Sequence, residues 1–436
     1  MQIVSIIGIV VALFFLCYLI MKGVNIFVVA IGAALLMALT GGLNLYSALK
    51  DSYMSGFADF IKSNFLIFVA GALMGKVYEI TGGAKSIARL VIKAVGPKNA
   101  VLVLPLVIGL LTYCGITGFV VAFAVYPIVL EVFREADLPR KLMPAVIIFG
   151  CCTFSGFGPG NPQPTQVVIM NALHTSLMSG ATIGFIALAV NVVTGELILN
   201  SMIKKARKRG EHFVAKDTDV ANEDAPMPNG WLALFPLILT LVCINVKIRG
   251  NTLIPVEYGL ALGAILAYVL MRKYHTDNVP VMSHIGQSFW NAITSVCNTS
   301  GMVAIGTVAK ATAGFSLLIA GMTSIPGPKL LSLALATNVL SAVAGGATGG
   351  VGLAAPILGP IYASAVNAGV LHRMMLIASF GCGLLPYNGF VVTVTSGICK
   401  DTHKETYGAT FLLGPLNIFI TTAVSIVLFS LFPALP

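Results

Sequence analysis

The chain has 436 residues, 57% of them hydrophobic and only 10% charged, with a formal net charge of +10 and a mean hydropathy of +0.93. Soluble domains carry about 25% charged residues, so a soluble enzyme or a nucleic-acid-binding module is excluded and the class is a polytopic membrane protein. A positive surplus is what cytoplasmic loops give such a protein, and cysteines inside apolar stretches (Cys17, Cys151, Cys152, Cys243, Cys382) act as small hydrophobes rather than as a disulfide framework.

A hydrocarbon core about 30 Å thick needs about 20 apolar residues per helix. In chain order, spans are predicted near 2–21, 24–41, 64–82, 179–203, 231–246, 254–271, 298–318 and 408–433. The first lacks a basic leader and a small-residue cleavage site, so it reads as a retained span. Residues 84–98 place Lys85, Arg89 and Lys93 at helical spacing opposite Ile87, Leu90 and Val91, which predicts a helix lying in the membrane interface.

Two irregular regions follow. Residues 99–134 are apolar but interrupted at Thr112 to Gly118, too short for two crossings and a turn, which predicts a re-entrant hairpin. A helix over 142–175 is broken between Ser155 and Thr165 by Pro159, Pro162 and Pro164. Both features recur, as a hairpin over 330–366 with its tip at Gly345 to Gly350 and a helix over 374–395 broken at Gly383 to Gly389. Irregular backbone at membrane depth persists only where protein or a watery cavity satisfies its amides.

The recurrence is a repeat. Gly75, Val77, Thr81 and Gly83 reappear as Gly306, Val308, Thr312 and Gly314, and Phe149-Gly150-Cys151 as Phe380-Gly381-Cys382, at an offset of 231. The expected organisation is a first repeat over 1–203, a linker over 204–229 and a second repeat over 230–436. Each copy holds about five spans, one of them broken, plus a hairpin, so the copies face opposite ways across the membrane. Charge agrees. With the linker and its Lys204, Lys205, Arg207, Lys208 and Arg209 inside, cytoplasmic segments hold 18 of the 26 Lys and Arg residues and extracytoplasmic segments six.

The two tips and two breaks converge in this architecture. Half-helices that start there aim unpaired N–H groups and positive dipole ends into one cavity, attracting an anion without a buried cation. The candidate substrate-binding residues are Thr112, Thr117, Ser155, Asn161, Gln163 and Thr165 in the first copy, with Thr348, Gly349, Tyr387, Asn388 and Thr393 in the second. Hydroxyls and amides donate to a carboxylate and accept from substrate hydroxyls. Asn161 and Asn388, each two residues after a proline, are candidate equivalents. Ionisable residues in apolar stretches are functional suspects. Glu79, Glu131, His174 and His372 are the proton-coupling candidates, and Glu196, Glu257 and Lys310 share the pattern. No Walker loop, dinucleotide turn, zinc motif or nucleophile elbow occurs, so no cofactor, metal or enzymatic activity is expected.

The hairpin-then-broken-helix pattern resembles the ion transporter superfamily of inverted-repeat elevator carriers. Leu371-His372-Arg373 followed by Leu385-Pro386-Tyr387-Asn388-Gly389-Phe390-Val391-Val392-Thr393 is similar to the gluconate:proton symporter (GntP) family, and the Gly345 to Gly352 tip fits it. The resemblance implies a homodimeric carrier in the bacterial inner membrane, importing gluconate, a related sugar acid or a short hydroxy acid with protons. The alternative is a sodium-coupled carboxylate carrier. Sodium-coupled relatives place Ser-Asn-Thr at each tip, whereas these tips read Cys-Gly-Ile-Thr-Gly and Gly-Ala-Thr-Gly-Gly.

Overall fold

The structure, a computed structural model, describes residues 2–113, 118–161, 163–216, 226–245, 247–248, 251–252, 254–275 and 279–433. The first half runs α1 (Gln2–Met21), α2 (Ile26–Gly41), α3 (Leu45–Ser47), a π turn (Ala48–Tyr53), α4 (Met54–Ile80), α5 (Gly83–Val95), α6 (Pro97–Tyr113) and α7 (Gly118–Glu135). A 3-10 turn (Arg140–Leu142) leads into α8 (Met143–Phe157), α9 (Pro164–Leu173) and α10 (Ala181–Lys208).

The second half repeats this order. It runs α11 (Gly230–Asn245), a two-residue ladder of β1 (Lys247–Ile248) and β2 (Asn251–Thr252), α12 (Val256–Met271), a 3-10 turn (Arg272–Tyr274), α13 (Val281–Ala311) and α14 (Ala313–Thr323). Then come α15 (Lys329–Val343), α16 (Ala347–Tyr362), α17 (Ala368–Cys382), α18 (Gly389–Val392) with a π turn (Thr393–Ile398), α19 (His403–Phe411), a π turn (Leu412–Leu416) and α20 (Asn417–Leu431).

Five of these helical runs are long and apolar enough to cross a membrane, and a sixth counts if the bent α13–α14 pair is one span. The protein is a multi-pass membrane protein. α1 shows the required pattern. Ile9, Ala12, Leu16 and Ile20 are buried on one face, while Ile3, Ile7, Phe14 and Tyr18 lie exposed on the other, where lipid replaces water. By contrast, α8 and α17 are buried almost all round, the mark of helices at the centre of a bundle.

Residues paired by the offset take the same structural positions. Thr81 and Thr312 end α4 and α13, and each hydroxyl donates back into its helix, to Val77 O and to Ala309 O, both at 2.7 Å. Gly150 on α8 and Gly381 on α17 are close-approach points: an added Cβ would sit 2.7 Å from Ile108 of α6 and 2.3 Å from Asn338 of α15. The packing partners exchange between halves as well. α4 packs on α13, α12 on α4 as α2 on α13, α11 on α5 as α14 on α1, and α6 on α8 as α15 on α17.

Two expectations change. The span near 298–318 is not continuous, because the chain bends by 88° between α13 and α14. Thr312 leaves helical geometry there (ψ 147), and its hydroxyl bonds a carbonyl of the turn before it. The span near 64–82 is the end of a longer rod, since α4 begins at Met54. The interfacial helix expected at 84–98 is α5, whose Ser86 and Ile87 are buried against the rest of the fold while Arg89 and Lys93 stay exposed. Ser86 donates to Pro228 O and, from α4, Tyr78 donates to Ala233 O at 2.6 Å, tying this region to the start of α11.

Candidate functional site

Each break is made by prolines and held by an asparagine. α8 ends at Gly158, before Pro159, and α9 restarts with Pro164 at its first position, where the missing N–H costs nothing. Inside the break Asn161 is fully buried. Its Nδ2 donates to Phe154 O at 3.0 Å and its Oδ1 accepts from Gln163 N at 2.7 Å. Asn388 does the same at the second break, with Nδ2 donating to Gly383 O and Oδ1 accepting from Phe390 N at 2.8 Å and Val391 N at 3.0 Å. The two asparagines are therefore structural equivalents.

Each break is also tied to the tip of its own hairpin. In the second half Asn388 Nδ2 also donates to Gly345 O at 3.0 Å. In the first half Gln163 Nε2 donates to Thr112 O at 2.8 Å.

The breaks, the second hairpin tip and the start of α7 line an open cavity of about 880 Å³, its mouth included. Helix starts line it from four directions: Gly118 and Phe119 of α7, Gln163 to Thr165 at α9, Gly346 to Gly349 at α16, and Asn388 to Phe390 at α18. α9 and α16 carry no side-chain cap. The N–H groups of Thr165, Ala347, Thr348 and Gly349 fall in first turns, where a helix offers no carbonyl partner, and they add to the positive dipole ends. No Lys, Arg, Asp, Glu or His lines the cavity among the described residues. Across it, Thr165 Oγ1 and Thr348 Oγ1 share a hydrogen bond of 2.8 Å, joining α9 of one half to α16 of the other.

α8 adds Cys151, Cys152 and Ser155 to the wall, the end of α17 adds Phe380, and α4 and α13 add Phe60, Asn64, Phe68 and Val303. Phe68, Phe119 and Phe390 touch in sequence, tilted and then edge-to-face, with centroids 4.5 Å and 5.1 Å apart, so aromatic rings join this wall to the break.

Ser155, Gln163, Thr165, Thr348, Gly349 and Asn388 are thus brought together at the cavity. The other described candidates stand elsewhere. Thr112 donates to Gly109 O at 2.8 Å, Asn161 is spent on its break, and Tyr387 donates to Ala342 O at 2.7 Å, bracing the second hairpin. Thr393 is buried in the π turn after α18, away from the lining. Thr117 lies outside the described residues, as does the side chain of Glu79.

Of the ionisable candidates, Glu131 pairs with Arg134 at 3.6 Å, and His174 takes the left-handed position that ends α9 (φ 51). His372 is buried with Nδ1 2.7 Å from Thr175 Oγ1. None of the three lines the cavity. Beside His372, fully buried Arg373 donates to Ser179 O at 2.7 Å and Leu177 O at 3.0 Å, clamping the turn between α9 and α10.

Sequence reasoning missed Asn64 and the phenylalanines of α4, because α4 reads as a plain span. The signal was present: Phe60, Asn64 and Phe68 recur every four residues, on one helical face.

Residues 3–385 match the GntP family permease profile. The chain belongs to this family. The permease is 29% identical over 408 residues to the transporter YxjC of Bacillus subtilis, covering 83% of this chain and 85% of that one. It is 23% identical over 307 residues to the high-affinity gluconate transporter of Escherichia coli, covering 66% of each chain. The gluconate permease of Zymomonas mobilis is 24% identical over 272 residues, 61% of this chain and 57% of that one. The permease resembles in fold the YdaH transporter of Alcanivorax borkumensis, with a TM-score of 0.50 at 17% identity over 89% of this chain and 90% of that one. The family consists of permeases, so the permease is a transporter of small molecules and not an enzyme.

Proposed function

We propose that the permease imports gluconate or a related hydroxylated carboxylate across the bacterial inner membrane, together with protons, as a homodimer. The observation that carries this reading is an uncharged cavity ringed by four helix starts and bridged by Thr165 and Thr348. Such a cavity suits a single carboxylate: free N–H groups meet the anion, while hydroxyls and the carbonyl-rich breaks meet the polyol. The gluconate names of two relatives favour the same substrate class.

The two halves are inverted repeats, with the Lys204 to Asn229 linker in the cytoplasm. Exchange of packing partners between halves and the partition of basic residues both support this. The hairpins and broken helices, α6–α9 and α15–α18, move as one block along α4 and α13. The phenylalanine seam supports that division.

Uptake of labelled gluconate into proteoliposomes tests the proposal. An acidic exterior should drive accumulation without sodium. A strict sodium requirement with no response to the pH gradient would overturn proton coupling and leave the sodium-coupled alternative.

A further inference from the structure

A second, open cavity of about 1380 Å³, its mouth included, lies between the α1–α2 turn and the chain that follows the second break. Lys22 and Asn25 line one side, and Ser396, Asp401, His403 and Glu405 the other. His403 is only 5% exposed and Asp401 only 6%. Both are nonetheless on the wall of this opening.

The ring has one bonded and one bare nitrogen. His403 Nδ1 lies 3.4 Å from Ser396 Oγ, and the Ser396 hydroxyl donates to Asp401 O at 3.5 Å. With that hydroxyl proton spent, Nδ1–H is the donor to Ser396 and Nε2 carries the lone pair, an assignment made from the hydrogen-bond network. Among the described residues the buried Nε2 has no hydrogen-bond partner, and the Pro386 carbonyl of the second break lies near the ring. A carbonyl offers nothing to a bare lone pair, but it accepts from an N–H.

Among the described residues His403 makes no ion pair. Asp401 is taken by Arg140 of the 3-10 turn, 3.8 Å away, and by Lys216 of the linker. Lys22 faces the cavity from the α1–α2 turn, Lys404 and Glu405 from α19 itself, and Lys400 and Tyr407 flank the segment. Lys141 follows Arg140, and α8, packed along α19, contributes only Cys151 and Cys152 as ionisable groups.

We propose that His403 accepts and releases the coupled proton, held in register by Ser396 and Asp401. This rests on the proton-symport reading above. Nε2 takes up a hydronium proton that enters through the cavity on whose wall His403 sits. The new N–H then donates to the Pro386 carbonyl, linking α19 to the break whose Asn388 borders the substrate cavity. Release returns the proton to water, and no other bond forms or breaks. Neutral His403 leaves that link open. The proton thus changes the break that frames the substrate, which is the reciprocal coupling that symport requires.

His403→Gln tests this in proteoliposomes with labelled gluconate as the probe. Accumulation driven by a pH gradient should fall at least tenfold, while gluconate counterflow at equal pH stays within twofold of wild type. Undiminished gradient-driven accumulation in His403→Gln, or equal loss of both activities, would overturn the proposal. A wild-type protein that ignores the gradient would instead sink the symport reading itself. Should His403→Gln fail to fold, carbon NMR of labelled histidine in the wild type decides the matter. His403 must then titrate at a different pH with gluconate bound, and an identical titration in both states would refute its role.

Discussion

The two breaks do one job with different parts. In the second, Asn388 alone caps α18, holds the end of α17 through Gly383 O and reaches the hairpin tip at Gly345 O. In the first, the work is divided: Asn161 holds Phe154 O and Gln163 N, while Gln163 reaches the tip at Thr112 O. The extra length of the first break explains the division. Asn161 donates seven residues back and Asn388 five, and Asn388 lines the cavity where Asn161 does not. A repeat can thus conserve an arrangement of hydrogen bonds while reassigning the residues that make it.

The largest expected effect follows from concentrating four hydrogen bonds in one side chain. At roughly 1 kcal/mol for each bond, Asn388→Ala should cost about 4 kcal/mol, read as a lowered unfolding temperature in detergent. If the division in the first break is real, Asn161→Ala and Gln163→Ala together should approach that cost, near 3 kcal/mol, and each alone should cost less. A Gln163→Ala variant as damaging as Asn388→Ala would break the comparison.

A smaller difference is expected at the paired glycines. Gly381→Ala drives a methyl against Asn338 Oδ1, which otherwise accepts from Cys382 N at 2.8 Å, whereas Gly150→Ala meets mainly Ile108. Overpacking of about 1–3 kcal/mol is partly offset by the roughly 1 kcal/mol that alanine gains over glycine in a helix. Both variants should therefore be modestly destabilised, Gly381→Ala more, and thermal unfolding of the pair checks the order.

The smallest effect concerns the linker. Asp137 accepts from His212 at 2.6 Å and from Phe213 N at 3.0 Å, and these bonds hold its carboxyl below the usual carboxylate range. A depressed pKa in the folded state means the contribution is present above the ordinary pKa near 4 and is lost as pH falls through the folded value. Protection of the Phe213 amide from hydrogen exchange should accordingly decline below about pH 4. Asp137→Ala, which removes the acceptor, should show low protection throughout, and pH-independent protection in the wild type would remove Asp137 from the linker's anchorage.

Much of the fold was legible because close packing needs small residues at fixed places, and the offset pairs Thr81 with Thr312 and Gly150 with Gly381 at matching helix ends and contacts. The bend at Thr312 was not, since Phe315, Leu317, Leu318 and Ile319 continue the apolar run and hydropathy carries no direction. The site was half legible. Prolines and amides mark the breaks, but a sequence does not say whether a polar side chain faces the cavity or its own backbone, which separates Thr165 and Thr348 from Asn161 and Tyr387. His403 was invisible because it sits in a polar stretch, Asp401 to Glu405, that reads as a surface loop until the packing buries it.

The most direct measurement is gluconate binding by calorimetry to wild type and to the Thr165→Val, Thr348→Val double variant at constant pH. Losing hydroxyls that meet a carboxylate costs about 1.5–3 kcal/mol, so the dissociation constant should rise roughly ten- to hundredfold with the fold intact. Wild-type affinity in the double variant would contradict a substrate site bridged by the two halves.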